Sequence, residues 1–447
     1  MSDSSFSFSQ PQLQSLAQEA LELAKKAGAT ACEVDVSEGR GQTVTVRLSE
    51  VETIEYNQDK GIGVTVYLGQ RKGHASTSDF SSTALADTVA AAINIARFTA
   101  EDDCAGLAEP ALMASEFPDL DLYHPWDVSV EEAIELARAT EAAALAVDKR
   151  LTNSEGGTVS TQSSHFIYAN SHGFLAGFPT SRHSLSVAAV AEADGAMQRD
   201  YWYSVARHVD DLEPAADIGR KAGERTVARL NGRRVKTGRY PVLFEAPVAA
   251  SLIGHFVSAA SGGSLYRRSS FLVDALGKPV FSDRVTIDED PFLLRGLGSS
   301  AFDNEGVATN ARRLVGAGVL EGYFLSSYSG RKLNSSTTGN AGGPHNLIVH
   351  STGESFDVLL AELGTGLLVT ELMGQGINLV TGDYSRGASG FWVENGKIAY
   401  PVEEITIAGN LAEMYRQIVA VGDDTLNRGA KLVGSILIES MMVAGEA

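Results

Sequence analysis

Apolar residues recur every three to four positions after Pro11. Leu13, Leu16, Ala17, Ala20, Leu21, Ala24 and Ala27 line one helical face; Pro11 suits the first turn and Gly28 the stop. The period then shortens to two. Val34 and Val36, Val44 and Val46, Ile54 and Tyr56, then Val64, Val66 and Leu68 alternate with polar neighbours, which predicts an antiparallel meander over 31–78. Gly39-Arg40-Gly41, Asn57-Gln58-Asp59 and Gly69-Gln70 are its expected turns. A second helix is expected over about 82–98, with Leu85, Val89, Ala92, Ile93 and Ala96 on one face.

After an acidic, Pro-containing connection over 99–128, Ser129-Val130-Glu131-Glu132 reads as a capping box opening an Ala-rich helix to about Val147. Alternation returns over 150–208, and a helix is expected over about 214–230. The basic, aperiodic stretch 231–239, with Arg233, Arg234, Lys236 and Arg239, reads as a solvated linker and domain boundary. A strand over 240–245 and a helix over about 247–260 follow, then short strands, turns and glycines. The fold class expected is α+β: a Ser-rich disordered start over 1–9, a mixed N-terminal domain with antiparallel sheet and helices over 10–232, and a β-rich C-terminal domain over 233–447. A chain of 447 residues is too long for one ordinary core, which agrees with two domains.

Charge works by exclusion. Lys+Arg 36 against Asp+Glu 56 gives a formal net charge of −20, which repels phosphate backbones and anionic lipid; neither a nucleic acid nor a membrane partner is expected. With two cysteines, Cys32 and Cys104, there is neither a disulfide framework nor a CxxC knuckle. The start of the chain lacks a basic segment followed by an apolar one, and no apolar run is long enough to span a bilayer, so a cytoplasmic location is expected.

Familiar chemical signatures are missing. There is no GxxxxGK[ST], no GxSxG and no HExxH, and Gly364-Thr365-Gly366 and Gly374-Gln375-Gly376 both lack the third glycine of a dinucleotide fingerprint. The nine histidines are scattered, and a scattered set is more often structural than metal-binding. One stretch, 361–410, is dense in polar groups and glycine: Gly364, Thr365 and Gly366, then Asp383, Tyr384, Ser385 and Arg386 between Gly382 and Gly387. Tight turns between strands account for the glycines; the functional reading, extended to His345, is an open groove where a peptide strand pairs with a sheet edge. The small-residue run over 259–268 reads as close packing.

Several strings are specific. Among them are Asn153-Ser154-Glu155-Gly156-Gly157, Phe302-Asp303-Asn304-Glu305-Gly306-Val307, Ser326-Ser327-Tyr328-Ser329-Gly330-Arg331 and Glu371-Leu372-Met373-Gly374-Gln375-Gly376. The last continues into Thr381-Gly382-Asp383-Tyr384-Ser385-Arg386-Gly387 and Phe391-Trp392-Val393-Glu394-Asn395-Gly396. From about residue 15 to its end the chain resembles the PmbA (TldE) branch of the TldD/PmbA metallopeptidase family. The resemblance implies a heterodimer with a TldD-like subunit that degrades or trims unfolded or modified peptides, including microcin-type precursors and the CcdA-type antitoxin. It also implies that zinc sits in the TldD-like partner, on an HExxxH helix with a later Cys, where the Glu serves as general base.

This chain departs from that pattern. Its matching helix places Gly254 and Ala259 where the zinc-binding histidines would stand and His255 where the Glu would stand, and no Cys follows Cys104. No metal is therefore expected here, and the catalytic residues stay unnamed. Two other readings remain open: a stand-alone peptidase using His345, His350, Asp383 or Ser385, and a non-enzymatic regulatory protein that binds peptides. A homodimer is conceivable for the isolated chain.

Overall fold

The computed structural model describes residues 6–446. Helix α1 (Gln10–Lys26) starts where the pattern places it, with the Gln12 side chain accepting the Ser9 backbone N–H at 2.7 Å, and it stops ahead of Gly28. Strands β1 (Ala31–Arg47) and β2 (Glu50–Leu68) then form one long hairpin, in register from Ala31↔Tyr67 to Arg47↔Glu50. The expected meander is corrected here. Gly39–Gly41 and Asn57–Asp59 lie mid-strand, paired with each other across the hairpin, and the chain reverses instead at Leu48 and Ser49.

Both turn residues have positive φ, 49° and 67°, the conformation a two-residue I′ hairpin demands. Neither is Gly or Asn, so the turn carries no sequence signal. A buried carboxylate supplies what the turn residues lack: Glu141, 1 % exposed, accepts the Leu48 N–H at 2.8 Å, the Ser49 N–H at 2.9 Å and the Ser154 hydroxyl. The outer edge of β2 from Glu50 to Gly61 has no strand partner among the described residues, because β3 (Arg71–Thr77) pairs only with 62–68.

Helices α2 (Ser82–Phe98) and α3 (Val130–Leu145) match expectation, the latter through the capping box of Ser129 and Glu132. Strands β4 (Leu151–Asn170), β5 (Leu175–Ala176), β6 (Pro179–Ala193) and β7 (Ala196–Ala206) complete a seven-stranded antiparallel sheet, ordered β3-β2-β1-β4-β6-β7 with β5 beside β4. Val34 and Val36 of β1 pack with α1 and α2, while Val44 and Val46 pack with α3 and α4 (Ala215–Ala228). Their shared parity puts all four helices on one face. Gly219 lets α4 approach α3: a Cβ there would stand 2.3 Å from the Thr140 carbonyl oxygen.

The disordered start is corrected for residues 6–9, while 1–5 lie outside the described residues. Phe6 stacks on His165 with ring centroids 3.9 Å apart, and Glu38 accepts the backbone N–H groups of Ser7 and Phe8 at 2.9 and 3.0 Å.

The second half runs in chain order through β8 (Gly238–Phe244), α5 (Ala246–Ala259), α6 (Gly262–Tyr266), β9 (Ile287–Asp290), β10 (Arg312–Gly316), β11 (Val319–Leu320), α7 (Ser327–Lys332), β12 (Asn346–Val349) and α8 (Phe356–Leu363). It continues through β13 (Gly366–Met373), β14 (Asp383–Glu394), β15 (Lys397–Asn410), α9 (Leu411–Arg416), β16 (Ile418–Val421), β17 (Lys431–Leu432) and β18 (Ile436–Ala444). Five of these strands close into a barrel: the order is β15-β14-β13-β8-β18, and β18 pairs back onto β15. Val242, Phe244, Leu367 and Val369 fill its interior with α5 residues Leu252, Ile253 and Phe256, while Leu243, Leu368 and Val393 face outward under α8. A smaller sheet, β11-β10-β9-β12-β17, flanks it. The architecture is α+β, with a mixed first half and a β-rich second half. No helix among the described residues is long and apolar enough to cross a membrane.

Two outcomes follow. Glu141→Ala leaves two strained turn residues and their N–H groups unsupported, and urea titration will show a loss of about 2–4 kcal/mol. Glu38 is held below its ordinary value: burial pushes it up, but the N–H groups of Ser7 and Phe8 outweigh that. A depressed carboxyl stabilises above its unfolded value and loses that contribution as pH falls through its folded one. The protection of the Phe8 amide, measured against its intrinsic exchange rate at each pH, will therefore fall as Glu38 is protonated below the ordinary carboxyl range, and in Glu38→Gln it will be reduced at neutral pH as well.

Candidate functional site

Helix α5 carries Gly254, His255 and Ala259. Ala259 is fully buried, and the Ser270 hydroxyl donates to its carbonyl at 2.6 Å. Gly254 faces β17, where Lys431 Cε lies 3.8 Å from the position a Cβ would take. His255 meets Tyr384 edge to face with centroids 6.0 Å apart, and its Nε2 makes no hydrogen bond. Burial, and then the Arg386 guanidinium, pull its pKa down, so the ring is neutral at pH 7. Zinc catalysis needs three protein ligands. One imidazole flanked by a glycine, an alanine and a lysine does not supply them. Among the described residues no three His, Cys, Asp or Glu side chains gather as a metal set.

The candidate groove is not one place. Gly366 pairs with Val393 at one end of β13, whereas Met373 pairs with Gly387 at the other, beyond which lie Asp383 to Arg386. Seven residues of strand separate the two ends by roughly 23 Å. Gly364 ends α8 at φ 63°, and Gly366 is small because a Cβ would stand 2.4 Å from the Pro241 carbonyl. Gly364 thus serves the backbone conformation and Gly366 close packing, and Thr365 lies between them. β13 lies between β14 and β8 only over Leu367–Val369; among the described residues no strand pairs with the β8 side of Thr370–Met373, at the end of β13 away from Gly364–Gly366. Barrel closure, which the sequence pattern does not reveal, covers the edge only where the strands overlap.

Other candidates are held separately. His345 Nε2 bonds the Gly339 carbonyl at 2.9 Å, and His350 Nε2 bonds Asp288 at 2.8 Å. Asp383 accepts from the Thr381 hydroxyl at 2.6 Å and from Asn410, while Ser385 donates its backbone N–H to Gly376. No shared partner links the histidines to Asp383 or Ser385. Tyr384 is 1 % exposed, and its hydroxyl is pushed up to about 12 by burial, with Arg386 opposing.

What the fold does bring together around Arg386 is a cavity of about 240 Å³ at the junction of the two halves. Trp202 of β7 and Arg225 of α4 come from the first half; Ser251 of α5, Thr370 and Glu371 of β13, Arg386 of β14 and Arg428 come from the second. One wall is an ion-pair network. Arg225 Nη1 bonds Glu245 at 2.6 Å and its Nε lies 3.4 Å from Asp200, while Arg229 spans Asp200 at 3.7 Å and Glu371. Burial lowers Arg225, but Glu245 and Asp200 more than offset that and hold its pKa above the ordinary value. Arg428 lies 3.8 Å over the Trp202 ring, with Lys221 at 3.9 Å from the same ring. Its nearest carboxylate, on Glu213, is 3.9 Å away, and burial pulls its pKa below the ordinary arginine value.

Asp200, Arg225, Arg229 and Arg428 were not among the sequence candidates. Arg225 and Arg229 stand one turn apart on an amphipathic helix, beside its buried Thr226, which is a weak signal; Arg428 lies in a loop and carries none.

Three family descriptions match in succession: PmbA/TldA metallopeptidase domain 1 over residues 32–96, the central domain over 123–230 and the C-terminal domain over 237–445. The metalloprotease PmbA of Escherichia coli O157:H7 is 51 % identical over 429 residues, 96 % of this chain and 95 % of that protein. The chain belongs to the PmbA/TldD metallopeptidase family. Its similarity falls on the PmbA branch: the Haemophilus influenzae PmbA homologue is 49 % identical over 95 % of this chain and 94 % of its own length, against 24 % over 82 % and 80 % for the TldD homologue from the same organism. A Bacteroides thetaiotaomicron protein provisionally named as a modulator of DNA gyrase superposes with a TM-score of 0.92 at 29 % identity, covering 97 % of this chain and 98 % of that one. TldE from Thermococcus kodakarensis shares the fold at TM-score 0.85 and 19 % identity, over 96 % and 100 % of the two chains.

The family is one of metallopeptidases, and α5 of this chain carries a single imidazole, His255. The cavity network is testable on its own. Asp200→Ala leaves Arg225 and Arg229 short of a carboxylate, and urea titration will show a loss of about 3–5 kcal/mol.

Proposed function

We propose that this chain is the partner subunit of a two-chain cytoplasmic metallopeptidase that degrades or trims unfolded or modified peptides, with zinc and the hydrolytic step belonging to a TldD-like subunit. The observation that carries the reading is α5. Gly254, His255 and Ala259 stand in place of an HExxxH set, Lys431 lies beside Gly254, and Ala259 is sealed in the core. Microcin-type precursors and CcdA-type antitoxins are substrates of the kind the family relationship suggests.

The chain's contribution is then structural and substrate-directed: it completes the peptidase and offers a polar cavity at the junction of its halves. The stand-alone peptidase reading gains nothing from geometry, because His345 and His350 are engaged apart from Asp383 and Ser385. The non-enzymatic peptide-binding reading differs from the proposal only in lacking the catalytic partner.

Zinc content and peptide cleavage will be measured for this chain alone and after mixing with a TldD-like subunit at matched concentration. Zinc and cleavage are expected only in the mixture, with zinc tracking the partner. Stoichiometric zinc with cleavage by the lone chain would sink the proposal.

A further inference from the structure

The described residues hold eleven buried side-chain nitrogen or oxygen atoms without a hydrogen-bond partner. They are not spread evenly. Nε and Nη2 of Arg428, Nε of Arg386, Nε of Arg225 and Oγ1 of Thr370 all belong to residues lining the one junction cavity. Burying a polar group without a partner is costly, so such a concentration marks a place prepared for a ligand. Thr370 is 9 % exposed, which makes its hydroxyl a nine-tenths buried donor on the cavity wall.

The charges decide what that ligand is. Asp200, Glu245 and Glu371 are committed to Arg225 and Arg229. Arg386 makes no ion pair among the described residues, and Arg428 has only the long contact to Glu213 at 3.9 Å. Two guanidinium groups thus face the cavity short of anionic partners, and each presents a planar fork suited to a carboxylate. Asp200 and Glu371 on the same wall would repel a dianionic phosphate more strongly than a singly charged carboxylate. Leu372, Val248, Pro247 and the Trp202 ring add apolar wall. The cavity, at about 240 Å³, is smaller than the ~300–1,000 Å³ of drug-sized pockets, and fits a terminal residue rather than a long segment.

We propose that this cavity is a carboxylate site that holds the C-terminal end of a peptide, with Arg386, Arg428 and Thr370 binding the α-carboxylate and the apolar wall receiving the last side chain. This names the ligand class of the substrate-directed role proposed above and rests on that reading. It requires no covalent step.

Binding to the isolated full-length chain tests it by calorimetry, using an N-acetylated tetra-alanyl-leucine peptide with a free C-terminus, the same peptide as its C-terminal amide, and inorganic phosphate. The free acid is expected to bind at least about tenfold tighter than the amide, a factor that one charge-assisted hydrogen bond supplies. Arg386→Met and Arg428→Met are each expected to weaken it by about tenfold or more, and Thr370→Val, which keeps the side chain's shape, by about threefold to tenfold. Equal binding of acid and amide, no binding of either, or unchanged affinity in all three variants with native circular dichroism would overturn the assignment. Displacement of the peptide by sub-millimolar phosphate would overturn it too, in favour of a phosphate site. If the acid does not bind while the mixture with a TldD-like subunit still cleaves and zinc tracks that subunit, only this inference falls. Zinc in the lone chain would instead remove the partner-subunit reading.

Discussion

A guanidinium removed from water needs hydrogen-bond acceptors, and at the joint between the two halves of this molecule carboxylates supply them to Arg225 and Arg229. Arg225 and Arg229 leave α4, in the first half, and are answered by Asp200 from β7, by Glu245 at the start of α5 and by Glu371 on β13. Three carboxylates from three elements fix where the barrel sits against the seven-stranded sheet. Ion pairs of this kind add little net stability over well-packed apolar residues, but losing one member is expensive. The network therefore acts as a registration device: other placements of the halves strand a buried charge. The cavity beside it exists because the registration holds.

The helices were legible in the sequence because their signals are local. Pro11 in the first turn of α1, Ser129 with Glu132, and the apolar spacing of 82–98 each lie within one or two turns, and the observed ends fall close to expectation. The strands were legible in kind but not in connection. Gly39–Gly41 and Asn57–Asp59 look like turns, yet they face each other in mid-hairpin. The real turn, Leu48-Ser49, owes its conformation to Glu141, a residue far along the chain that no local rule can link to it. The same limit hid the barrel, since the closing pair β15–β18 is a long-range contact.

The site divided in the same way. The single imidazole of α5, His255 between Gly254 and Ala259, was visible from residue identity alone. The cavity was not, since its polar groups come from β7, α4, α5, β13, β14 and the loop holding Arg428. Asp383, Tyr384, Ser385 and Arg386 drew attention as a string, but alternation along β14 divides them: Tyr384 and Arg386 are withdrawn from solvent, while Asp383 and Ser385 are exposed. One string thus furnished residues to two different environments.

Barrel closure also sets an order of events during synthesis. β8 is the first barrel strand to be made, and one of its two neighbours is β18, the last of the five barrel strands in sequence order. Until Ile436–Ala444 have emerged, β8 keeps an open side and the strands made in between have no ring to join. The barrel is thus held back from completion until β18 is available, and a chain cut short before β18 has a barrel with a missing stave.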